Sequence, residues 1–591
     1  MMEKFIVCVV FTLSLFSSYC ARQIRDMAPV AISFTSQLDG VRLNLPANSR
    51  TPLEVSDIEY SVRFLVFEAH TQKYSLIFST QPDLKESGQS ANGSDVGLVS
   101  VLGHYESHVN MWLYNINSEK VTALVNITPY ESSAPIPGGC NMEFPAEISP
   151  FLRIYSSSVD TKIEFQHARV TYTREQPLLS CDRSMFLLSY NLYVHFLPEN
   201  DFSEMSYLNG IQTMISVASV KKHGVKVTTF DQSPKTRVTL LSYPGQGVIY
   251  NVLVSYIRDN ELYEAVYVPV STYGCSFHSE VDGCGQLTGD LAMVLAIVMA
   301  IVGLFVCFRG HRFFKTEMMY FGFLTFALLT FVLLTRFTEI GITGRNILTV
   351  ILGISGGLLW VAIWWMFGVP VISMLLVGLV LGFLLTSVVF FTPVGNMQVF
   401  RDDFSYWLIF SCGILVIPII FLLFPKLLSI VGSSIMGGYA FIVVIDRYIG
   451  TTLSYIILNV VKRAVRDDLS YAFNSYLFQT NDVILSITWG FLAVFGICFQ
   501  LYMEKGRLPF PPAPYATWRL NRHLGLQERG YENAIIGPFQ PTAPPGDMLD
   551  GTRARTRNDA NSHTENTEEE PLLRDTEHSQ SVTQYRSCSR S

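Results

Sequence analysis

The sequence predicts a β-rich, disulfide-containing ectodomain of two β-sandwich-like domains, followed by an all-α seven-helix transmembrane bundle and a disordered cytoplasmic tail. Two observations predict this order. Short β-rich runs separated by Gly- and Pro-containing turns fill the chain to about residue 286, and apolar runs of spanning length follow to about 503. A helix needs roughly 20 apolar residues to cross a hydrocarbon core. The predicted divisions are 1–20, 21–145, 146–286, 287–503 and 504–591.

The first twenty residues have the layout of a secretory signal peptide. Lys4 supplies the positive charge, Phe5–Phe16 is a short apolar stretch, and Ser18 and Cys20 are small residues before a cleavage site. A retained signal anchor is the alternative, although this apolar stretch is short for a membrane span.

Two sequons lie on the side of the membrane to which this leader would direct the chain. They are Asn92-Gly-Ser94 and Asn126-Ile-Thr128, and both are predicted to carry glycans. Asn126 is the preferred site, because Thr is the better acceptor residue and Pro129 lies beside the predicted strand end.

Four of the ten cysteines are predicted to lie in an oxidising compartment, which favours disulfides. They are Cys140, Cys181, Cys275 and Cys284, and four cysteines allow three pairings. The stretches "VTALVNITPYESSAPIPGGCNMEF" and "YEAVYVPVSTYGCSFHSE" share a β run, a Gly-Cys pair and an aromatic residue. An internal duplication would make Cys140 and Cys275 equivalent and favours the pairs Cys140–Cys181 and Cys275–Cys284. Similar strand-and-turn composition arising twice is the alternative.

The ectodomain contains no recognisable catalytic pattern. Its histidines are scattered, and neither G-x-S-x-G nor H-E-x-x-H occurs there. We therefore expect no enzyme activity, no cofactor and no metal site. We also expect no nucleic-acid partner for this chain, whose formal net charge is −7.

Seven apolar runs are predicted to span the membrane. Their approximate bounds are 288–308, 318–335, 346–366, 369–391, 405–424, 427–446 and 483–502. Very short links make the third and fourth runs, and the fifth and sixth, antiparallel hairpins. A lumenal or extracellular N-terminus and seven crossings put the C-terminus in the cytoplasm, and the basic loop "RGHRFFKTE" after the first run agrees.

The predicted outer loop 447–482 is more basic than this topology favours. It contains Arg447, Lys462, Arg463 and Arg466. Its stretch "LSYIILNVVKRAV" is predicted to form an amphipathic interfacial helix, and the sequence leaves open whether 451–463 is interfacial or re-entrant. An eighth crossing through this stretch is the alternative, and it would put the tail outside.

Small residues are frequent in the spans, whereas charges are nearly absent from span centres. Intramembrane charges usually mark ion or proton pathways, so their scarcity argues against transporters and intramembrane hydrolases, although a hydrophobic pore needs none. Small residues let helix backbones approach closely. The glycines predicted to pack helices are Gly353, Gly356, Gly357, Gly378, Gly382, Gly437 and Gly438.

The tail is too polar to bury a core, and two short patterns stand out in it. "FPPAP" at Phe510–Pro514 suits either a stiff exit linker, which is the preferred reading, or a polyproline ligand of an aromatic groove. Glu568, Leu572 and Leu573 have the spacing of an acidic dileucine sorting motif, whose expected partner is a clathrin adaptor.

Several stretches of the chain resemble the family of transmembrane 7 superfamily member 3. They are "PGGCNMEF", "HFLPENDFSE", "YPGQGVIYNVLV", "GHRFFKTE", "VGLVLGFLLTSVVFFTPVGN", "LSYIILNVVKRA", "QTNDVILSITWGFLAV" and "EKGRLPFPPAPY". The spans are also similar to a domain of a second multi-span family linked to Wnt receptor scaffolding. The resemblance implies a glycosylated protein of the cell surface and secretory pathway that acts in cell survival and restrains endoplasmic-reticulum stress. It supplies no catalytic residue and no ligand.

The sequence therefore predicts a non-enzymatic protein of the cell membrane and the secretory and endosomal pathway. It would work through protein contacts in cell survival and protein homeostasis, attenuating endoplasmic-reticulum stress and the unfolded protein response. Membrane lipid surrounds it, and its protein partners are not identified by the sequence. The alternatives are an unconventional seven-span ligand-binding receptor and a Wnt-type signalling scaffold.

Overall fold

The computed structural model describes most of the chain between residues 25 and 522. The described residues are 25–33, 40–84, 88–141, 144, 146–231, 236–275, 277, 290–421, 423–475, 478–506, 510–511, 515 and 517–522. They all belong to one compact unit, Met1–Arg522. The predicted signal peptide, Cys284 and the sorting residues Glu568, Leu572 and Leu573 lie outside the described residues.

The first domain is a sandwich of two β-sheets. Its strands are β1 (Arg25–Asp26), β2 (Val30–Ser33), β3 (Val41–Leu45), β4 (Ser49–Ser56), β5 (Val62–His70), β6 (Leu76–Ser79), β7 (Ser90–Gly93), β8 (Asp95–Val101), β9 (Val109–Asn115) and β10 (Val121–Glu131). One sheet has the order β1-β4-β9-β6-β7 with β2 beside β4, and the other has the order β3-β10-β5-β8. Leu53, Phe67, Phe78, Leu98 and Leu113 are buried in a core between these sheets.

The second domain combines three sheets with short helices. Its elements are β11 (Ile136–Cys140), β12 (Arg153–Ser156), β13 (Asp160–Glu164), β14 (His167–Arg169), α1 (Cys181–Met185), β15 (Ser189–Phe196), α2 (Glu204–Gln212), α3 (Val217–His223), β16 (Val225–Asp231), β17 (Arg237–Leu241), β18 (Val248–Arg258), β19 (Glu261–Val266) and β20 (Val270–Thr272). The sheets have the orders β11-β14, β12-β13-β17 and β16-β15-β18-β19, with β20 beside β18.

The two domains share a hydrophobic core. Phe64, Val66 and Tyr130 of the first domain pack in one cluster with Tyr190 and Tyr267 of the second. All nine residues of β5 are buried, because this strand contributes to both cores. The ectodomain is therefore built as a single block, and its two domains are not joined by a free linker.

The boundary between the domains lies earlier than predicted. β11, which contains Cys140, pairs with β14 of the second domain, so the chain leaves the first domain after β10 and not near residue 145. Cys275 follows β20 of the same domain. Cys140 and Cys275 therefore do not occupy equivalent positions in two repeated domains, and the duplication that suggested their pairing is not supported.

In the part of the chain that the structure describes, seven long α-helices and one short one follow. They are α4 (Asp290–Arg309), α5 (Phe314–Phe337), α6 (Ile342–Phe367), α7 (Pro370–Phe391), α8 (Asp403–Phe421), α9 (Pro425–Ile449), α10 (Tyr455–Val465) and α11 (Thr480–Met503). Among the described residues, six helices are long and apolar enough to cross a membrane, and the apolar part Ala296–Arg309 of α4 is shorter. α7 and α9 form the interior of the bundle, with 61% and 67% of their apolar windows buried.

The prediction of an amphipathic helix between the last two spans agrees with α10, and the alternative of an eighth crossing is wrong. α10 has 11 residues. At 1.5 Å per residue it is about 16 Å long, roughly half of a hydrocarbon core. One of its faces is buried, with Ile456, Val460 and Val461 as its apolar members.

Candidate functional site at the ectodomain–bundle junction

The stretch between α9 and α11, residues 450–479, lies between the ectodomain and the helices, and we call it the junction segment. Two buried carboxylates fix its first residues. Asp446, near the end of α9, accepts hydrogen bonds from the backbone N–H groups of Leu453 at 3.2 Å and Ser454 at 3.0 Å. Asp482, in the first turn of α11, accepts from the backbone and the hydroxyl of Thr452 at 2.7 and 2.9 Å. The segment is thus fixed to both flanking helices.

Lys462 of α10 binds the ectodomain directly. Its Nζ donates to the backbone oxygen of Ser242 at 2.8 Å and to that of Val159 at 3.3 Å. Burial lowers the pKa of this ammonium group to about 8, although the nearby charge of Asp160 opposes the shift. Arg466 reaches the same loop, with its Nη1 3.2 Å from Asp160 Oδ1. Two of the four basic residues that complicated the topology, Lys462 and Arg466, therefore serve the ectodomain contact.

The junction segment also extends a sheet of the second domain. Leu241 N–H donates to the oxygen of Phe473 at 3.0 Å, and Phe473 N–H donates to the oxygen of Thr239 at 2.9 Å. Tyr243 donates a hydrogen bond to Asn474 and packs its ring against Tyr455, with the centroids 4.8 Å apart. The backbone at Phe473 thus lies along the edge of β17, where it pairs as a further strand would.

A third set of contacts lies beside the ends of α9 and α11. Asn200 Nδ2 donates to the oxygen of Ile449 at 2.6 Å, and Gln479 Nε2 donates to the oxygen of Leu197 at 3.0 Å. Next to them, burial and the charge of Asp482 raise the pKa of Glu199 to about 7. Glu199 Oε1 is buried and has no hydrogen-bond partner among the described residues. This carboxyl group is therefore one of the titratable groups whose charge couples the junction to pH.

On its other side the junction segment is held by the bundle. Arg463 lies over the ring of Tyr406 at 3.7 Å from the centroid and pairs with Asp403 of α8 at 2.9 Å. Arg336, at the end of α5, pairs with Asp467 at 3.0 Å. The segment therefore contacts the ectodomain, α5, α8, α9 and α11.

A small cavity of about 50 Å³ lies at this junction. Phe390, Phe391, Tyr406 and Arg463 are among its lining residues. Asn459 also lines it, and the side-chain oxygen and nitrogen of Asn459 have no partner among the described residues. A water molecule needs roughly 10–15 Å³ of such space, so the cavity has room for ordered water that would satisfy this amide.

The opposite end of the bundle contains a buried polar cluster that sequence analysis missed. Ser429 Oγ, on α9, donates to the Glu317 carboxylate at 2.7 Å and lies 2.8 Å from His311 Nδ1. Because the single hydroxyl proton goes to Glu317, Nδ1 of His311 must donate to Ser429 while the carboxylate is ionised. Gln500 Nε2 of α11 donates to the oxygen of Cys307 at 2.8 Å. Glu317 and His311 belong to the basic loop "RGHRFFKTE", where they look like solvated loop charges.

Three of the predicted disulfide cysteines lie in the described part of the chain. Cys140 and Cys181 form a disulfide that ties β11 to α1. Cys275 is also disulfide-bonded. Its predicted partner, Cys284, lies outside the described residues.

The two sequons differ in how exposed their asparagines are. Asn126 is 3% exposed, and its Nδ2, the atom to which a glycan would be attached, donates to Glu68 Oε1 at 2.6 Å. Asn92 in β7 is exposed. The preference for Asn126 as a glycan site therefore conflicts with its place in the sandwich, and Asn92 is the accessible acceptor.

The predicted packing glycines differ in what surrounds them. Added Cβ atoms at Gly357, Gly382 and Gly437 would lie 2.2–2.8 Å from the backbone of a neighbouring helix. At Gly353, Gly356 and Gly378 the nearest atoms belong to side chains, of Phe323, Phe326 and Pro418 respectively. Gly438 has only ordinary contacts, the nearest at 3.4 Å. Three of the seven therefore stand where backbones meet.

Two immunoglobulin-like domain models and one membrane-domain model match the chain in order. "TM7SF3-like, N-terminal immunoglobulin-like domain" matches residues 35–130, and "TM7SF3-like, second immunoglobulin-like domain" matches 135–278. "TM7S3/TM198-like domain" matches 296–501. The first two matches meet between β10 and β11, where the structure also divides the ectodomain.

Mammalian relatives match over most of the chain. Transmembrane 7 superfamily member 3 of Homo sapiens is 39% identical over 513 residues, which cover 83% of this chain and 89% of the relative. The proteins of that name from Mus musculus and Rattus norvegicus are 40% and 41% identical over 505 residues, with 85% and 88% covered. A solved β-glucuronidase of Bacteroides uniformis is 8% identical over 37% of this chain and 25% of its own, with a TM-score of only 0.14.

Proposed function

Because the chain belongs to the family of transmembrane 7 superfamily member 3, we propose that it acts through protein contacts in cell survival and protein homeostasis. In this proposal it attenuates endoplasmic-reticulum stress and the unfolded protein response without catalysing a reaction. It resides in the cell membrane and the secretory and endosomal pathway, with its N-terminus lumenal or extracellular and its C-terminus cytoplasmic.

The observation that supports this proposal is the junction segment. A protein that binds the ectodomain acts on a block whose two domains share a core. That block is bonded to the junction segment through Lys462, Phe473 and Gln479. Asp446 of α9 and Asp482 of α11 hold the segment to their helices. Binding of a partner protein to the ectodomain can therefore favour one arrangement of the helices over another without any enzymatic step.

Proximity labelling from the ectodomain and from the tail, performed separately, tests the proposal. We expect lumenal folding factors around the ectodomain during stress, and a stronger stress-reporter response in cells that lack the protein. Re-expression of the wild-type chain should restore the response, whereas a Lys462→Met chain that reaches the same membranes should restore it less. A reporter response that does not depend on the protein would refute the proposed role.

An unconventional ligand-binding receptor is the second candidate, and the same junction favours it, since a receptor must couple its ectodomain to its helices. Labelling from the tail separates the two candidates. Heterotrimeric G proteins recovered at the tail, in amounts that change with ectodomain occupancy, would favour the receptor.

We further propose that Glu568, Leu572 and Leu573 direct internalisation through a clathrin adaptor. Burial of two leucines contributes roughly 3–5 kcal/mol before ordering costs, which is the scale of a weak sorting contact. Leu572→Ala combined with Leu573→Ala should raise the surface pool and leave glycan maturation unchanged. Unchanged uptake in this double variant would leave the motif without a role.

A further inference from the structure

The ectodomain has an end far from the junction segment, and we call it the apex. β18 has 11 residues; it begins at Val248, which pairs near Leu197 and the junction, and ends at Arg258. At about 3.3 Å per residue this strand extends roughly 30 Å away from the junction. The apex comprises the loops 57–61, 103–108, 131–133, 172–176 and 257–262, from both domains.

Contacts between these loops make the apex one continuous surface. Arg174 of the second domain donates to the backbone oxygens of Val62 and Glu59 in the first domain at 2.7 and 2.8 Å. Ser132 N–H donates to the oxygen of Ser61 at 3.1 Å. Because the loops of the two domains are bonded to each other, they present a fixed arrangement of side chains to a partner.

Large aromatic and aliphatic side chains are exposed at the apex. Tyr105 is 90% exposed, Tyr60 56%, Ile257 72% and Leu262 55%. The Tyr60 and His104 rings meet edge to face at 5.8 Å, and those of His104 and Tyr105 at 4.4 Å. Exposed tyrosines held in place by neighbours provide contact area at little cost in side-chain entropy, as binding surfaces require.

The loops that carry these aromatic rings also carry many carboxylates. The exposed acidic residues of the apex loops are Asp57, Glu59, Glu106, Glu131, Glu175, Asp259 and Glu261. Arg258 is the exposed arginine of the same loops, while Arg174 is buried. The apex therefore presents exposed tyrosines on a surface with more carboxylates than cations, which would repel anionic lipid and attract cations.

The chain itself shows how these rings bind cations. The guanidinium of Arg174 lies over the Tyr60 ring at 5.2 Å, and that of Arg258 lies over the Tyr172 ring at 4.8 Å. A positive group that approaches from outside meets the same combination of aromatic faces and carboxylates, since Glu175 Oε1 lies 3.4 Å from the Tyr60 hydroxyl.

We infer that the apex is a docking surface for a basic, lysine- and arginine-rich segment of a partner protein. Lysine or arginine side chains would lie against Tyr60 and Tyr105 while Glu59, Glu106 and Glu175 pair with their charges. This inference rests on the proposed function, because it names the class of partner whose contact the ectodomain would make.

The test measures binding of a short fluorescent peptide of alternating lysine and glycine to the full chain in nanodiscs of zwitterionic lipid. We expect the lysine peptide to bind, and a glutamate–glycine peptide of the same length not to bind. Tyr60→Ala combined with Tyr105→Ala should weaken binding about tenfold, the size expected for two contact residues near the centre of an interface. Glu59→Gln combined with Glu175→Gln should weaken it similarly and reduce its salt dependence.

Matched controls separate a specific surface from general attraction to an acidic protein. Glu119→Gln combined with Glu204→Gln makes the same charge change at exposed positions away from the apex, and Tyr155→Ala removes another half-exposed tyrosine. These variants should change binding less than about twofold. Equal weakening by apex and control variants, or equal binding of the two peptides, would overturn the inference. If proximity labelling still recovered lumenal folding factors in that case, the proposed function would stand and only its docking surface would be wrong.

Discussion

The ectodomain and the helical bundle bury polar groups in different ways. In the ectodomain, His70 lies between two carboxylates, 2.8 Å from Asp95 and 3.4 Å from Glu68, and Tyr207 of the second domain donates to Asp95 at 2.6 Å. In the bundle, helix backbones approach closely at Gly357, Gly382 and Gly437. Hydroxyl and amide groups there, such as those of Ser434 and Gln500, bond to backbone oxygens. The ectodomain therefore gains specificity from charge, whereas the bundle gains it from close backbone approach, as expected where water is excluded and ion pairs are costly.

The largest effect is expected from removing the cation of the buried charged cluster in the ectodomain. His70→Ala leaves Glu68 and Asp95 buried without their cation and should destabilise the ectodomain by about 3–5 kcal/mol. Chemical unfolding of the full chain, followed by ectodomain fluorescence, would measure the loss. The exposed His108, replaced by Ala, is the control and should change stability little.

The same site predicts a pH dependence. Burial alone would lower the pKa of His70, but the hydrogen bonds and charges of Asp95 and Glu68 outweigh it and raise the pKa from 6.5 to about 9. The native state thus holds this proton more tightly than the unfolded state. The stabilisation is fully present below pH 6.5 and is lost as the pH rises through about 9. A His70→Ala chain with the same slope over this range would disprove the assignment.

The next largest effect is expected from adding a side chain where two helices of the bundle approach closely. A Cβ on Gly437 would lie 2.4 Å from the oxygen of Gly303 and 2.6 Å from the nitrogen of Cys307, and backbone atoms cannot rotate away. Gly437→Ala should cost about 1–3 kcal/mol. Its neighbour Gly438 has room, so Gly438→Ala should be neutral or stabilising by up to about 1 kcal/mol. Thermal unfolding in detergent compares the two, and equal melting temperatures would contradict close packing.

The junction, where the two regions meet, should respond to pH. Because contact with the bundle raises the pKa of Glu199 from 4.5 to about 7, docking is favoured at low pH and weakens as the pH rises through about 7. Hydrogen exchange in residues 450–475, corrected for intrinsic rates, should therefore increase as the pH rises from 4.5 to about 7. Glu199→Gln should flatten the dependence, whereas Glu204→Gln at a nearby exposed position should retain it. A wild-type chain without pH dependence would reject the prediction.

The smallest effect concerns the two sequons, one of which belongs to the charged cluster inside the ectodomain. Glu68 also accepts the hydrogen bond of Asn126, which joins this sequon to the network around His70. We therefore expect Asn92→Gln to remove a glycan and Asn126→Gln to leave the pattern unchanged. Gel mobility before and after glycosidase treatment checks both, and a shift caused only by Asn126→Gln would show that the acceptor is modified before the sandwich closes.

Patterns within one element were predictable from the sequence, and contacts between elements were not. Alternation and turns indicate the β ectodomain, and apolar length indicates the long helices. The amphipathic stretch ending in Lys462 and Arg463 predicts the interfacial helix, but not that Lys462 would bind Ser242, which is 220 residues earlier in the chain. The burial of Asn126 depends on the pairing of β10 with β5, and the sequon itself carries no such information.

The contacts of the junction segment limit how its length can vary during evolution. An outward loop between two spans is normally a place where insertions and deletions accumulate at little cost. Here both faces of the loop are in use, since Phe473 lies along β17 while Arg463 and Asp467 are paired with helices below. One added residue would move either the strand pairing or the helix contacts out of register. We therefore expect length variation among relatives to be rare between α9 and α11, and to fall instead in connections that serve a single partner.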